Sequence, residues 1–472
     1  MQKILLFIAS LFYFNSLFAK DEIKSWQGIH ETPLSRLEQQ FADPPVEFAN
    51  HVIWGWEGKM DKKTICNDLD SIKKKGFRAI IFEAGYKLPF KYLSEEWFKA
   101  IRTGVLEAKK RGMKVWIIDE GKYPSGFAGG KFSQERPDLR MQALVIGDTI
   151  QVKRGEVMTN HKIAPEIISA VAVSTSGAPN RTVAINNGEI SFNAGLDDWK
   201  ILLVKSDFRT AVTRAVNNPN GGKDATNSLC DYLNPVAVQQ FIDWTHEQYK
   251  KYLGKELGTT VLGFRGDEPD YAHLPWTPSI VQTFKDTKGY DPTPYLASFF
   301  TTSPTIQEQR VKADYWDVWS SLFATHFFKL QADWCAANGV AHITHLNKEH
   351  EMPACVKAEG DYFRNLSKVQ IPGVDAIWNQ IWPGTLNDFP KLASSVAHVY
   401  GKPRAFSESF AAYHISPTIP QAKFVVDHQI ARGINFFEFM FWPAGSKHRN
   451  WMSDPGMKGL NKYTNRTTYL MS

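Results

Sequence analysis

Short apolar runs recur along this chain, and most are followed by an amphipathic stretch with helical spacing. "HVIWGW" (51–56) precedes a segment whose apolar positions Ile65, Leu69 and Ile72 share one helical face. "FRAIIFEAG" (77–85) precedes "SEEWFKAIRTGVLEAKKRG", where Ser94 is suited to cap the helix start and Gly112 to end it. "MKVWIIDEG" (113–121) is the third such run. Runs of this kind, each ending in acids or glycine and each trailed by a helix, predict parallel β/α units.

The period changes between about residues 140 and 225. "QALVIGDTIQVKRGEV", "SAVAVSTSG", "TVAINNGEISF" and "KILLVKSDF" alternate apolar and polar positions, with Gly and Asn turns between them. A small antiparallel insertion is expected there, with "NNPNGGKDATN" as its exit loop. Helix resumes over 234–254, followed by "TTVLGFRGDEP", and a long helical stretch covers 311–339. Four more strand candidates follow: "AHITHLN" (341–347), "VDAIWNQI" (374–381), "RAFSESF" (404–410) and "INFFEFMFW" (434–442).

The total is eight strands: three, the insertion, then five. No Gly-rich phosphate loop follows the first strand, so a doubly wound sheet is less well supported than closure. The expected fold is α/β, a (β/α)8 TIM barrel with a small antiparallel β insertion between strands three and four. Its active site should lie at the C-terminal ends of the strands. The expected division is a signal peptide (1–19), a polar leader (20–44) and the catalytic barrel (45–472).

Composition narrows the function. Hydrophobic content of 43% and charged content of 22% describe an ordinary globular protein. The net charge of +6 is small for 472 residues and the basic residues are scattered, so nucleic acid is not an expected partner. Lys3, the apolar run 4–18 and Ala19 fit a secretory signal peptide, with Leu17 a less usual residue at −3. Export to the periplasm or the extracellular space is the expectation, and no later segment is apolar enough to span a membrane. Cys66, Cys230, Cys335 and Cys355 show no CxxC spacing, so buried thiols or one bridge are expected, not zinc. Oligomeric state is left open.

On the barrel reading, acids collect at one mouth. Glu83 ends strand two, Asp119 and Glu120 strand three, Asp267 and Glu268 strand four; Asn347 and Glu349 follow strand five. Asp375 and Trp378 mark strand six and Glu408 strand seven, with Trp54 and Trp56 on strand one and Trp442 on strand eight. An acid-lined, aromatic-rimmed cup suits glycosidic cleavage, in which one carboxylic acid protonates the leaving oxygen and a second carboxylate activates water or attacks the anomeric carbon. By analogy with barrel glycosidases, where the carboxylate pair recurs on strands four and seven, Glu268 and Glu408 are the expected catalytic pair. Trp54, Trp56, Asp119, Glu120, Tyr123, Asp267, His345, Asn347, Glu349, Asp375, Trp378 and Trp442 are the expected substrate contacts. Each acid has a plainer alternative as a helix cap or surface charge. Neighbours on a regular strand point oppositely, so only one of Asp267 and Glu268 should face the reaction centre. His342 and His345 should also face opposite ways, which weighs against a shared metal ion.

"YLSEEWFKAIRTGVLEAKKRGMKVWIIDEGKYPSGFAGG" resembles the bacterial α-L-rhamnosidases of glycoside hydrolase family 106. The likeness continues through "FRGDEPDYAHLPWTPSIVQTFKDTKGYDPTPYL", the stretch 311–339, "IPGVD" and "FSESF", covering most of residues 45 to 412. It implies an exported enzyme that breaks down plant or pectic polysaccharide by inversion, with two glutamates as acid and base and with calcium associated with the site. Those roles pass to Glu268 and Glu408. Asp119, Glu120, His345, Asn347, Glu349 and Asp375 become substrate or calcium candidates. The family carries β-sandwich domains beyond the barrel, which this sequence, ending in "NKYTNRTTYLMS", is expected to lack. Strand eight, with Glu438 in "FFEFMFWPAGSK", departs from the family pattern. A non-catalytic carbohydrate-binding relative and a metal-dependent barrel hydrolase are the alternatives.

Overall fold

A computed structural model of the chain describes residues 26–28, 32–210, 213–214, 223–224, 228–271, 274–385, 387–444 and 451–472. The expected signal peptide lies outside the described residues, as does most of the exit loop "NNPNGGKDATN".

Eight parallel strands close into a barrel. They are β1 (His51–Trp56), β2 (Ala79–Ala84), β3 (Lys114–Ile118), β4 (Val261–Gly266), β5 (Ala341–Thr344), β6 (Ile371–Ala376), β7 (Phe406–Ser409) and β8 (Phe436–Pro443). β1 pairs with both β2 and β8, which completes the ring. β6 begins at Ile371, three residues before the sequence-based start, so Trp378 lies beyond the strand.

The helices form where the pattern placed them, because each supplies its own cap and one apolar face. Asp61 accepts from the Thr64 N–H at 2.8 Å and opens the helix Lys62–Lys74, which buries Ile65, Leu69 and Ile72. Ser94 accepts from the Trp97 N–H at the start of Glu95–Lys110; acids fill that helix's first turn and lysines its last. Two expected helices are interrupted. The first breaks at Thr245 into Pro235–Trp244 and His246–Leu253. The second runs Ile306–Leu322, widens into a π-helical turn at Phe323–Phe328 and resumes over Lys329–Ala337.

The insertion sits between β3 and β4 as expected. Its central antiparallel strands are Gln142–Val152, Trp199–Phe208 and Ile167–Ser174, and it has its own core around Ile201, Leu203, Phe192 and Trp199. The polar leader is partly structural. Leu34–Ala42 is a helix whose Ala42 carbonyl accepts from Arg466, and Trp26 packs edge-on against Trp116.

Inside the barrel, alternate residues of each strand point to the axis. Towards the N-terminal end they form a dry plug of Ile53, Ile81, Trp116, Ile343, Phe406 and Phe436. Gly263 belongs to this packing, since a Cβ there would lie 2.1 Å from the Ala341 carbonyl oxygen and 2.3 Å from the Trp116 ring. The other face of the strands meets the helices. All four cysteines are free, and three of them are buried.

Candidate active site

One residue pair further along the strands, the interior turns from apolar to charged. Arg265 on β4 is fully buried and reaches three carboxylates. Its Nη1 lies 2.5 Å from Asp267 Oδ1, and its Nη2 contacts Glu408 Oε2 and lies 3.0 Å from Glu438 Oε1. Glu438 is also tied to His51 Nε2, at 2.9 Å. Burial works against the charged form of Glu438, yet Arg265 and His51 hold it below the ordinary carboxylate range.

His345 on the β5 side completes the hub. Its Nε2 lies 2.8 Å from Arg265 Nη2 and 3.2 Å from Glu408 Oε2; its Nδ1 meets the Leu346 carbonyl at 3.0 Å. The Arg265 contact suits a neutral ring and the Glu408 contact an imidazolium. Burial and the Arg265 charge oppose protonation, but the carboxylates Glu408 and Glu349 outweigh them and raise the pKa to about 9. The imidazolium is therefore the dominant form at neutral pH.

Glu268 has a different surrounding. Burial is the main cause that lifts its pKa to about 7, with the Asp267 and Glu408 charges adding to it and His345 opposing. It is hydrogen-bonded to Asp375, whose own carboxyl is pushed well above the usual range by burial and by Glu408 and Glu268. The contact between them raises Asp375 and lowers Glu268, so it is burial, with the Asp267 and Glu408 charges, that lifts Glu268.

These groups open onto a cavity of about 700 Å³ at the C-terminal mouth. Tyr123, Asp267, Glu268, Asn347, Asp375 and Glu408 line it, and Trp378 stands at its rim, 52% exposed. Asp267 and Glu268 both face the cavity, contrary to strand alternation. The strand ends at Gly266, and Glu268 adopts a left-handed φ of +38° that turns its side chain back. Six of the ten described non-glycine residues with left-handed φ lie in the loops after β4 to β7: Glu268, Lys348, Trp378, Asn379, Phe410 and Ala412. Backbone strain of this kind is held where a site needs it.

Other expected contacts lie elsewhere. Trp54 and Trp56 alternate with the inward positions and point into the helix layer, where Trp54 Nε1 donates to Asp68 and Trp56 packs on Phe82 and Trp97. Trp442 is buried in the same layer. Asp119 accepts from the Ser125 hydroxyl at 2.6 Å, and Glu120 accepts from the Gly121, Gly129 and Ala128 N–H groups. Both acids are fully enclosed, burial raises their pKa to about 7 and about 8, and they organise the loop after β3 behind the cavity wall. Glu349 is buried, with Oε1 accepting from the Leu346 N–H at 2.9 Å, and is not among the residues lining the cavity. His342 faces the helices, where burial lowers its pKa to about 3, so it cannot share an ion with His345.

Sequence reading missed Arg265, an isolated cation within an otherwise apolar strand, which was the available signal. It also missed the pairing role of Glu438 and the cavity-lining Lys122, Lys348, Asp270 and Phe441. Among the described residues, two groups have ligand atoms within 4.8 Å of one another: Asp267, His345 and Glu408, and Glu268, His345 and Asp375. In the first, Arg265 already supplies the positive charge. In the second, Asp375 Oδ1 is buried without a hydrogen-bond partner, so Glu268 and Asp375 offer oxygen ligands of the type a hard cation takes.

The profile of the α-L-rhamnosidase family matches residues 180–467, more than half of the chain. The chain is similar to a rhamnosidase structure from Novosphingobium sp. PP1Y, with a TM-score of 0.69 and 15% identity over 93% of this chain. It is also 24% identical, over 90% of its length, to a protein of Formosa agariphila named "Putative beta-glucuronidase". The chain spans 61% of the first and 39% of the second. With the closed barrel and the carboxylate-lined mouth, the family match shows that the chain belongs to glycoside hydrolase family 106, the α-L-rhamnosidase family.

Proposed function

We propose that the chain hydrolyses α-L-rhamnosides by inversion, with Glu268 as general acid and Glu408 as general base. The supporting observation is the contrast between the two glutamates in one cavity. Burial and the Asp267 and Glu408 charges raise Glu268 to about 7, so it holds a proton near neutral pH, ready to protonate the leaving oxygen. Glu408 is ion-paired with Arg265 and His345, which fix its position beside the water that would attack the anomeric carbon and give up a proton to it.

Seven acidic residues line the cavity against two lysines, which favours an uncharged sugar over a uronic acid at the cleavage point. Trp378 at the rim suits the C–H face of a second sugar. Export by the N-terminal leader and a plant or pectic polysaccharide as source of the substrate complete the reading. Calcium would be held through Asp375, whose Oδ1 has no hydrogen-bond partner among the described residues, and would supply positive charge beside Glu268. A cation there would favour the Glu268 carboxylate, so chelation should move the alkaline limb of the pH profile upward.

The test is turnover of 4-nitrophenyl α-L-rhamnoside, with aryl β-glucuronide as the competing substrate, by the wild type, Glu268→Gln and Glu408→Gln. Rhamnoside cleavage that falls roughly 10²–10⁴-fold in each variant supports the pair. Wild-type rates in either variant, or cleavage of the glucuronide alone, overturns the reading. Proton NMR of the first-formed anomer decides inversion against retention.

A further inference from the structure

On the cavity wall opposite β6, Glu83 from β2 and Lys122 from the turn after β3 form an ion pair, with Lys122 Nζ 2.8 Å from Glu83 Oε1. Their side chains are 12% and 13% exposed, and both line the cavity. Neither belongs to the Arg265 hub. An enclosed pair of this kind contributes little net stability, because desolvation offsets the attraction. Its placement at the wall therefore needs another reason.

The surroundings leave both groups open to a ligand. Lys122 Nζ lies 4.9 Å from the centre of the Tyr86 ring, which fixes the side chain from one side. On the other side stands Gly55, where a Cβ would come within 3.3 Å of Glu83 Oε2 and 3.6 Å of the Phe441 ring. The absence of a side chain at Gly55 keeps a slot between the carboxylate and the aromatic wall. An ammonium carries three donors and a carboxylate about four acceptor positions, so one mutual contact leaves capacity on each. A donor and an acceptor one hydrogen bond apart match two hydroxyls on neighbouring ring carbons, which are separated by a similar distance.

We propose that Glu83 and Lys122 are a diol clamp: Lys122 donates to one sugar hydroxyl and Glu83 accepts from the adjacent one, while Phe441 lies against the ring's apolar edge. The clamp rests on the reading that the cavity takes a sugar, and it adds the residues that position that sugar against Glu268 and Glu408.

The experiment is calorimetric binding of L-rhamnose and its 2-, 3- and 4-deoxy analogues to the full chain, beside turnover of the aryl rhamnoside. For the wild type, two analogues lacking neighbouring hydroxyls should bind roughly tenfold to a hundredfold more weakly than rhamnose. In Glu83→Gln and Lys122→Met rhamnose should weaken, and each variant should lose the extra penalty for the one analogue that lacks the hydroxyl its residue held. A merely structural pair would weaken all four sugars alike. That outcome, an even wild-type response to the analogues, or no binding of rhamnose overturns the clamp. The wild-type panel depends on no variant folding. Hydroxyl-selective binding without cleavage keeps the clamp and removes the proposed function; cleavage without hydroxyl selectivity does the reverse.

Discussion

The two ends of the barrel interior are built from the same strands and differ by one inward step. On β2 the step runs from Ile81 to Glu83, and on β5 from Ile343 to His345, just past the strand end. β6 goes from Gly373 to Asp375, β7 from Phe406 to Glu408, and β8 from Phe436 to Glu438. The lower layer excludes water and packs Trp116 and Phe436 beneath the site. The upper layer concentrates charge, which survives burial because Arg265 and His345 balance it. The dry plug is thus part of the electrostatics: it gives the charged layer a low-dielectric floor, where ion pairs act strongly.

The sharpest way to break this comparison uses two residues of one strand. Glu408→Gln should lower kcat roughly 10²–10⁴-fold and leave the unfolding transition nearly in place. Phe406→Ala, two positions below, should destabilise by roughly 3–5 kcal/mol. The protein that stays folded should keep its KM. Equal loss of kcat in both variants, measured beside chemical denaturation, would show that the layers are not separable.

Arg265→Met tests the balance within the upper layer. It strands Glu408, Glu438 and Asp267 without their common cation, so a loss on the order of 3–5 kcal/mol is expected. Adding Glu438→Gln removes one stranded charge and should recover part of that stability. If the double variant is no more stable than the single, the hub is not the compensating device.

The next effect is a shift, not a loss. Glu268 must be protonated to act as acid, so activity should decline as pH rises through about 7. The His345 charge favours the Glu268 carboxylate, and His345→Gln should move that alkaline limb to higher pH. Stability carries the opposite sign for His345 itself. Its pKa is raised on folding, so its contribution is complete below about 6.5 and is lost as pH rises through about 9. Thermal melts of wild type should therefore weaken across that window more than those of His345→Gln.

Much of this was legible in the sequence, for identifiable reasons. Strand count and the antiparallel insertion follow from apolar periodicity, and Glu268, Asp375 and Glu408 follow from their places at strand ends. Facing was the harder question. In "HVIWGW" both faces of the strand are buried, so alternation cannot say whether His51, Ile53 and Gly55 or the tryptophans turn inward. The inward set is the one with little bulk at its upper end, because a cavity needs Gly55 there. Glu438 was visible as an oddity in strand eight, but its partners Arg265 and His51 lie 173 and 387 residues away and meet it only on closure. The left-handed turn at Glu268 had no local signal, since neither Asp267 nor Glu268 is glycine.

The tryptophans give the smallest predicted effect and the cleanest division between packing and recognition. Trp54 is fully buried behind the barrel wall, whereas Trp378 is half exposed at the cavity rim. Removing Trp54 as Ala should cost roughly 3–5 kcal/mol of stability, as other buried aromatics do. Trp378→Ala removes little packing but takes away an exposed ring at the rim placed to stack on a sugar beyond the cleavage point. An aromatic stacking contact contributes about 0.5–1.5 kcal/mol, so KM for a disaccharide should rise roughly twofold to tenfold with kcat nearly unchanged. The smaller aryl rhamnoside, which leaves that position to its aglycone alone, should respond less. If the disaccharide and the aryl substrate respond equally, Trp378 is not a platform for the second sugar, and the division between wall and rim fails at that residue.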